Sequence, residues 1–135
     1  MKSGKPPDTP VFFVDRSLGG RIVPEALLSA GVEVIAHDQR FSPDTSDEEW
    51  LAVAGAEGWI VLTRDRRIRY RPNEKAALQK SGALVFVMTA SALTGQAAAD
   101  LLVRALDDMT EIAQTSDRPA IYAINSRGQP QRMVF

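Results

Sequence analysis

The sequence predicts an α/β protein with a mainly parallel central sheet and helices on both faces. Two observations carry that reading. Four short, mainly apolar runs stand at residues 11–14, 32–35, 59–62 and 83–87, and the first and third stop abruptly against polar residues. Between them lie stretches whose apolar residues recur at helical spacing. Strands that alternate with helices along a chain pair in parallel and are covered by those helices. A length of 135 residues without internal repeats predicts one domain. Residues 1–10 are polar, hold three prolines and read as a flexible N-terminal arm, which leaves 11–135 as the folded unit.

Each element follows from its residues. Val11-Phe12-Phe13-Val14 is short, bulky and ends at Asp15, so it reads as a buried strand. Gly19-Gly20 mark a turn. Residues 21–30 place Ile22, Val23, Ala26, Leu27 and Ala30 on one helical face, with Pro24 tolerated in the first turn and Gly31 as a stop. Val32-Glu33-Val34-Ile35 predicts the second strand, and 36–45 a polar connection. Ser46 with Glu49 forms a capping box opening a helix that runs to about Gly58. Trp59-Ile60-Val61-Leu62 predicts the third strand, a helix follows near 73–80, and Ala83 to Val87 predicts the fourth strand. Thr94 caps one long helix through about Gln114, with Ala98, Leu101, Leu102, Ala105, Met109 and Ile112 as its apolar stripe. Residues 119–124 read as a fifth strand at the sheet edge. The last ten residues fit either a tail or a short strand at 132–135.

Composition excludes much chemistry. There is no cysteine, so disulfides, thiolate zinc sites, iron–sulfur clusters and a cysteine nucleophile are impossible. His37 is the only histidine, which excludes a two-histidine metal site, and it is expected at the surface or as a cap. Gly19-Gly20 lack the context of a nucleotide-binding loop. Trp50 and Trp59 are expected in the core or in a subunit contact. No apolar run approaches the roughly 20 residues of a bilayer span, and the N-terminus lacks a signal-peptide stretch, so a soluble cytoplasmic protein is expected. A net charge of −1 does not by itself announce a nucleic-acid binder.

In open α/β sheets, ligands bind beyond the carboxyl ends of the strands. Asp15 follows the first strand and Asp65 the third. Asp47-Glu48-Glu49 open the helix that leads into the third strand, so they start near the same edge. Acids in a first helical turn also suit the helix dipole, and Asp15 also suits a helix cap. Together, these acids offer oxygen ligands for Mg²⁺ or Mn²⁺, the cations that carboxylate sites favour. Residues 64–71 read Arg-Asp-Arg-Arg-Ile-Arg-Tyr-Arg. Arg64, Arg66, Arg67, Arg69 and Arg71 suit bidentate phosphate contact, and Tyr70 offers a stacking face to an unpaired base. A basic strip beside an acidic pocket fits phosphodiester cleavage. A solvated, self-paired charged loop is the other reading of the same strip.

Phe-Phe-Val-Asp (12–15), Ser-Asp-Glu-Glu-Trp (46–50), Trp-Ile-Val-Leu-Thr-Arg-Asp (59–65), Arg-Ile-Arg-Tyr-Arg-Pro-Asn-Glu (67–74) and Val-Phe-Val-Met-Thr (85–89), in this order, resemble the PIN-like domains, in the branch that includes VapC-type toxins. The resemblance covers about residues 11–90. It implies a three-layer α/β/α sandwich and a Mg²⁺- or Mn²⁺-dependent ribonuclease, the toxin of a type II toxin–antitoxin pair. Its metal-binding acids fall on Asp15, Asp47 and Asp65, with Glu48 and Glu49 competing for the middle position and Glu74 as a fourth catalytic candidate. The familiar pattern places a further acid after the fourth strand, where this sequence has Thr89 and Ser91. The resemblance also implies an antitoxin partner and a homodimer. Two alternatives are a catalytically inactive PIN-like RNA- or protein-binding module and a receiver-like phosphoacceptor domain. The receiver pattern wants an acidic pair at the first strand and a lysine after the fifth, where Asp15 alone and Asn125 stand.

Overall fold

The apolar runs pair edge to edge. In a computed structural model, which describes residues 10–90 and 94–134, β1 (Val11–Val14), β2 (Glu33–Ala36), β3 (Ile60–Thr63), β4 (Leu84–Met88), β5 (Ala120–Ile124) and β6 (Pro130–Met133) form one sheet of order β2-β1-β3-β4-β5-β6. Residues 1–9, the bulk of the expected arm, lie outside the described residues, as do Ser91 and Phe135. The first five strands run parallel, and β6 returns antiparallel to β5. The helices are α1 (Ile22–Ser29), α2 (His37–Arg40), α3 (Asp47–Glu57), α4 (Pro72–Ser81), α5 (Gly95–Arg104) and α6 (Leu106–Thr115).

Alternation along the strands sorts the core into two layers. Phe12, Val14, Ile60 and Leu62 face α1, α5 and α6, packing with Leu27, Leu102 and Met109. Phe13, Val61 and Val85 face α3 and α4, packing with Trp50, Leu51, Ala54 and Leu78. The result is the expected three-layer sandwich, with β1, β3 and β4 buried on both faces.

Two helices of this second layer approach closely at Gly55. A Cβ there would overlap the Ser81 hydroxyl and lie 2.8 Å from the Ser81 carbonyl oxygen. Only glycine lets α3 and α4 meet at this distance, and the Ser81 hydroxyl donates across the contact to the Leu51 carbonyl (3.3 Å). The packing matters for function because α3 begins with Asp47 and α4 carries Glu74.

Three sequence expectations change. The helix expected over 94–114 is broken at Ala105, whose ψ of −1° ends α5 and starts α6. Its N–H reaches both the Leu101 and Leu102 carbonyls (3.1 Å each), tightening the last turn. The bend keeps Leu101, Leu102, Leu106 and Met109 all on the sheet, and no glycine or proline announces it. Second, β5 is interior, because residues 130–133 add the antiparallel strand β6 outside it. Pro130, which cannot donate to a ladder, opens that edge strand. Third, His37 is buried, at 2% exposure. The short helix α2 turns its ring inward, with centroids 5.6 Å from Phe41 and 6.1 Å from Phe13.

Candidate active site

Strand order positions the site. From β1 the chain passes to β2 on one side, then crosses through α3 to β3 on the other side of β1. Such a divergence opens a crevice beyond the carboxyl ends of β1 and β3. There the Asp15 N–H donates to the Leu62 carbonyl (3.0 Å), joining the two strand ends. A cleft of about 610 Å³ follows, lined by Asp15, Ser17, Asp47 and Asp65, and by Arg64, Arg66 and Arg67.

Asp15 is the buried member, at 8% exposure. It caps the 3₁₀ turn Arg16–Leu18, its Oδ1 accepting from the Arg16 N–H at 2.7 Å. Its Oδ2 accepts from the hydroxyls of Ser17 (2.8 Å) and Thr63 (2.7 Å). Those hydroxyls are themselves oriented: Ser17 Oγ accepts from the Arg64 N–H (2.9 Å) and Thr63 Oγ1 from the Asp65 N–H (3.1 Å). A buried carboxylate is tolerable only when so satisfied, and these bonds hold it in one orientation.

Asp47 enters from the first turn of α3. The Trp50 indole N–H, one helical turn on, donates to its Oδ1 at 2.9 Å. Trp50 is buried in the core, as expected, and anchors an acid of the cleft at the same time. The neighbouring acids point elsewhere. Glu49 closes the capping box, its Oε1 accepting from the Ser46 N–H (3.0 Å) and hydroxyl (3.1 Å). These bonds lower its carboxyl below the usual range, the backbone bond most. Glu48 lines the groove between α3 and α4.

Asp65 caps the second 3₁₀ turn, Arg66–Arg69, through the Arg67 N–H (3.0 Å). Its other oxygen meets Arg71 Nη1 at 2.6 Å. The same nitrogen donates to Glu74 Oε1 at 2.9 Å and lies 3.9 Å from Asp47 Oδ2. One guanidinium thus holds three carboxylates together, and its bonds to Glu74, then Asp65, raise its pKa still further. Among the described residues, Asp47, Asp65 and Glu74 each offer an oxygen within 4.8 Å of the others. Asp15 lines the cleft alongside without belonging to that group. Several hard oxygens at this spacing, drawn around a cation, fit Mg²⁺ or Mn²⁺.

The basic strip divides. Arg64, Arg66 and Arg67 line the cleft. Arg71 lies among the acids instead. Arg69 donates to the Val134 carbonyl (2.9 Å) and covers the Tyr70 ring at 4.7 Å, while Tyr70 is itself 66% exposed. Beyond β4, the Thr89 hydroxyl donates to the Ile124 carbonyl (3.2 Å). Asn125 accepts from the Arg127 and Gln129 N–H groups of the β5–β6 turn (2.9 and 3.1 Å).

Ser17, Thr63 and the anchoring role of Trp50 are absent from the sequence reading, as is the place of Arg71 among the acids. Local signals existed for each. Ser17 stands two residues past Asp15, Thr63 is the one polar residue of its strand, and Asp47–Trp50 and Arg71–Glu74 share i,i+3 helical spacing.

Known proteins match this chain as follows. A family model described as "PIN like domain" matches residues 10–90. A curated relative, "Putative ribonuclease VapC45" of Mycobacterium tuberculosis, is 31% identical over 121 residues, spanning 84% of this chain and 85% of the relative. No solved structure matches the chain.

Proposed function

The chain belongs to the PIN-like domain family, and on that premise we propose that it is a Mg²⁺- or Mn²⁺-dependent endoribonuclease, the toxin of a type II toxin–antitoxin pair. The observation that carries the proposal is the convergence of Asp47, Asp65 and Glu74 within 4.8 Å, beside Asp15, at the crevice between β1 and β3. Asp15, Asp47 and Asp65 would hold the cation, with Glu74 supplying from α4 the further acid that β4 lacks. When bound, a divalent cation supplies Lewis acidity and charge neutralisation for phosphodiester hydrolysis.

The protein's own side chains do the rest. Ser17 and Thr63 hold the Asp15 carboxylate in one orientation, and Trp50 does the same for Asp47. Such outer bonds set ligand geometry and are worth roughly 10–100-fold in affinity or activity. Arg64, Arg66 and Arg67 stand on the cleft wall where an RNA backbone would lie, and contact its phosphates. That contact falls with salt, with a log–log slope of about −0.7 per neutralised phosphate on a single strand. An antitoxin that covers the cleft, a homodimer and a cytoplasmic setting belong to the same reading. No described helix is long and apolar enough to cross a membrane.

The test is incubation of the protein with pooled cellular RNA, tRNA included, and Mn²⁺ or Mg²⁺, beside Asp15→Asn and an EDTA control. Discrete products from the parent alone, lost with EDTA, are expected. Equal cleavage by Asp65→Asn would sink the mechanism. A second reading, an inactive RNA-binding module, draws on Thr89, whose hydroxyl is bonded within the sheet where the family pattern has an acid. It requires RNA retention without products.

A further inference from the structure

Arg71 was expected on the RNA, yet it sits on the acids. Its Nη1 is 2.6 Å from Asp65 Oδ2, 2.9 Å from Glu74 Oε1 and 3.9 Å from Asp47 Oδ2. These are the three residues whose oxygens lie within 4.8 Å of one another. A divalent cation ligated by Asp65 and Glu74 competes with this guanidinium, because Mg²⁺ binds carboxylate oxygen at about 2.1 Å and would strongly repel a second positive charge held 2.6 and 2.9 Å from the same two carboxylates. Cation entry therefore requires Nη1 to move.

The side chain can move. It remains 34% exposed, it is the residue before Pro72 at the start of α4, and among the described residues no bond outside the acids anchors its guanidinium. Once displaced, its charge is next to the cleft wall that Arg64, Arg66 and Arg67 already make basic. There the ligand that suits a planar, permanently charged fork is a phosphate.

We infer that Arg71 is a resident counter-ion, which holds the three carboxylates together before the divalent cation binds and is released toward the substrate phosphate when it does. The inference rests on the metal-site reading above and adds the coupling between the two ligands. One guanidinium serving both makes metal binding and RNA-phosphate binding mutually favourable, since linkage is reciprocal. It also sets the metal affinity below what the bare acids would give.

The test uses Mn²⁺ alone, titrated by calorimetry or by its electron paramagnetic resonance signal, into the parent protein, Arg71→Ala, Arg71→Gln and Arg67→Ala. Arg67 lines the same cleft, and its Nε lies 4.0 Å from the opposite oxygen of Asp65, so it controls for loss of charge without loss of the shared oxygens. Mn²⁺ should bind Arg71→Ala and Arg71→Gln about tenfold or more tightly than the parent, with Arg67→Ala changing little. The metal-free melting temperature of the Arg71 variants should fall, and saturating Mn²⁺ should close the gap. Binding to the Arg71 variants only would support the inference most strongly. Equal or weaker affinity in a folded Arg71 variant, or an equal gain in Arg67→Ala, would overturn the counter-ion and leave the metal site standing. Binding by none of the four proteins would overturn both. Arg71→Gln keeps most of the side chain's bulk, so a fold lost only in Arg71→Ala does not obscure the result.

Discussion

The two halves of the cleft are held by different forces. On the sheet side, Asp15 is 8% exposed, and its two oxygens take three bonds of 2.7–2.8 Å from one backbone N–H and two hydroxyls. Those donors are neutral and already in place on the 3₁₀ turn that follows β1 and on β3. On the helix side, Asp47, Asp65 and Glu74 are partly exposed and converge on one guanidinium. Like charges this close repel unless a cation lies among them. One half is held by fixed neutral donors, and the other by a single positive charge, the Arg71 guanidinium, among its acids.

The largest expected effects separate the halves. Asp15→Asn and Asp65→Asn should both reduce RNA cleavage to the level of the EDTA control. Melting with Mn²⁺ should tell them apart. In the parent, Mn²⁺ at a hundredfold excess over its Kd should stabilise by about 2.7 kcal/mol, read as a rise in Tm. Asp65→Asn should lose that rise and Asp15→Asn should keep a part of it. Loss of the whole rise in both would erase the distinction.

Thr63→Val tests chiefly the sheet half, although it also takes from the Asp65 N–H its hydroxyl acceptor. It is nearly isosteric and removes one donor from a buried carboxylate, so it should cost about 1–3 kcal/mol by denaturant titration. Cleavage should fall roughly 10–100-fold without recovery at saturating Mn²⁺. Recovery with excess metal would show that Asp15, too, depends on the cation for its geometry.

Gly55→Ala disturbs the helix half from a distance. The added methyl meets Ser81 and pushes α3 from α4, which should cost about 1–3 kcal/mol. Because these helices carry Asp47 and Glu74, Mn²⁺ affinity should weaken as well. An unchanged affinity in a destabilised protein would mean that the helix packing does not set the acid spacing.

The smallest effect concerns Glu49, which lies beside the site and outside it. The Ser46 bonds, the backbone one most, hold its folded pKa below the ordinary glutamate value of 4.5. Its charged form therefore contributes stability above that value, and the contribution is lost as pH falls through the lower folded value. A stability gap between the parent and Glu49→Gln should be present at neutral pH and close in the acid limb. Ser46→Ala, which removes the cap from both, should cost about 1 kcal/mol.

Sequence reading reached the sheet because buried parallel strands advertise themselves as apolar runs that stop at polar residues. It reached Asp15 and Asp65 because each stands within one or two residues of a strand end. Choosing Asp47 over Glu48 and Glu49 lay beyond it. All three occupy one helical turn, and the indole of Trp50, the capping box and the α3–α4 groove each draw one of them in a different direction. The break at Ala105 was hidden for a related reason: its apolar stripe continues on both sides, and only contact with the sheet requires the bend.

Local chemistry thus determined the elements, the order of the acids and the basic strip, because helical period, strand alternation and strand-end polarity are written in neighbouring residues. Tertiary structure decided which charges meet. Strand order brought β3 beside β1, so that Thr63 satisfies Asp15 across 48 residues of chain. The 3₁₀ turn after Asp65 and the start of α4 then swung Arg71 out of the strip and into the carboxylates. A charge's partner is set by distance in space, and electrostatic competition between one guanidinium, three acids and an incoming cation exists only once the fold has brought them within a few ångströms.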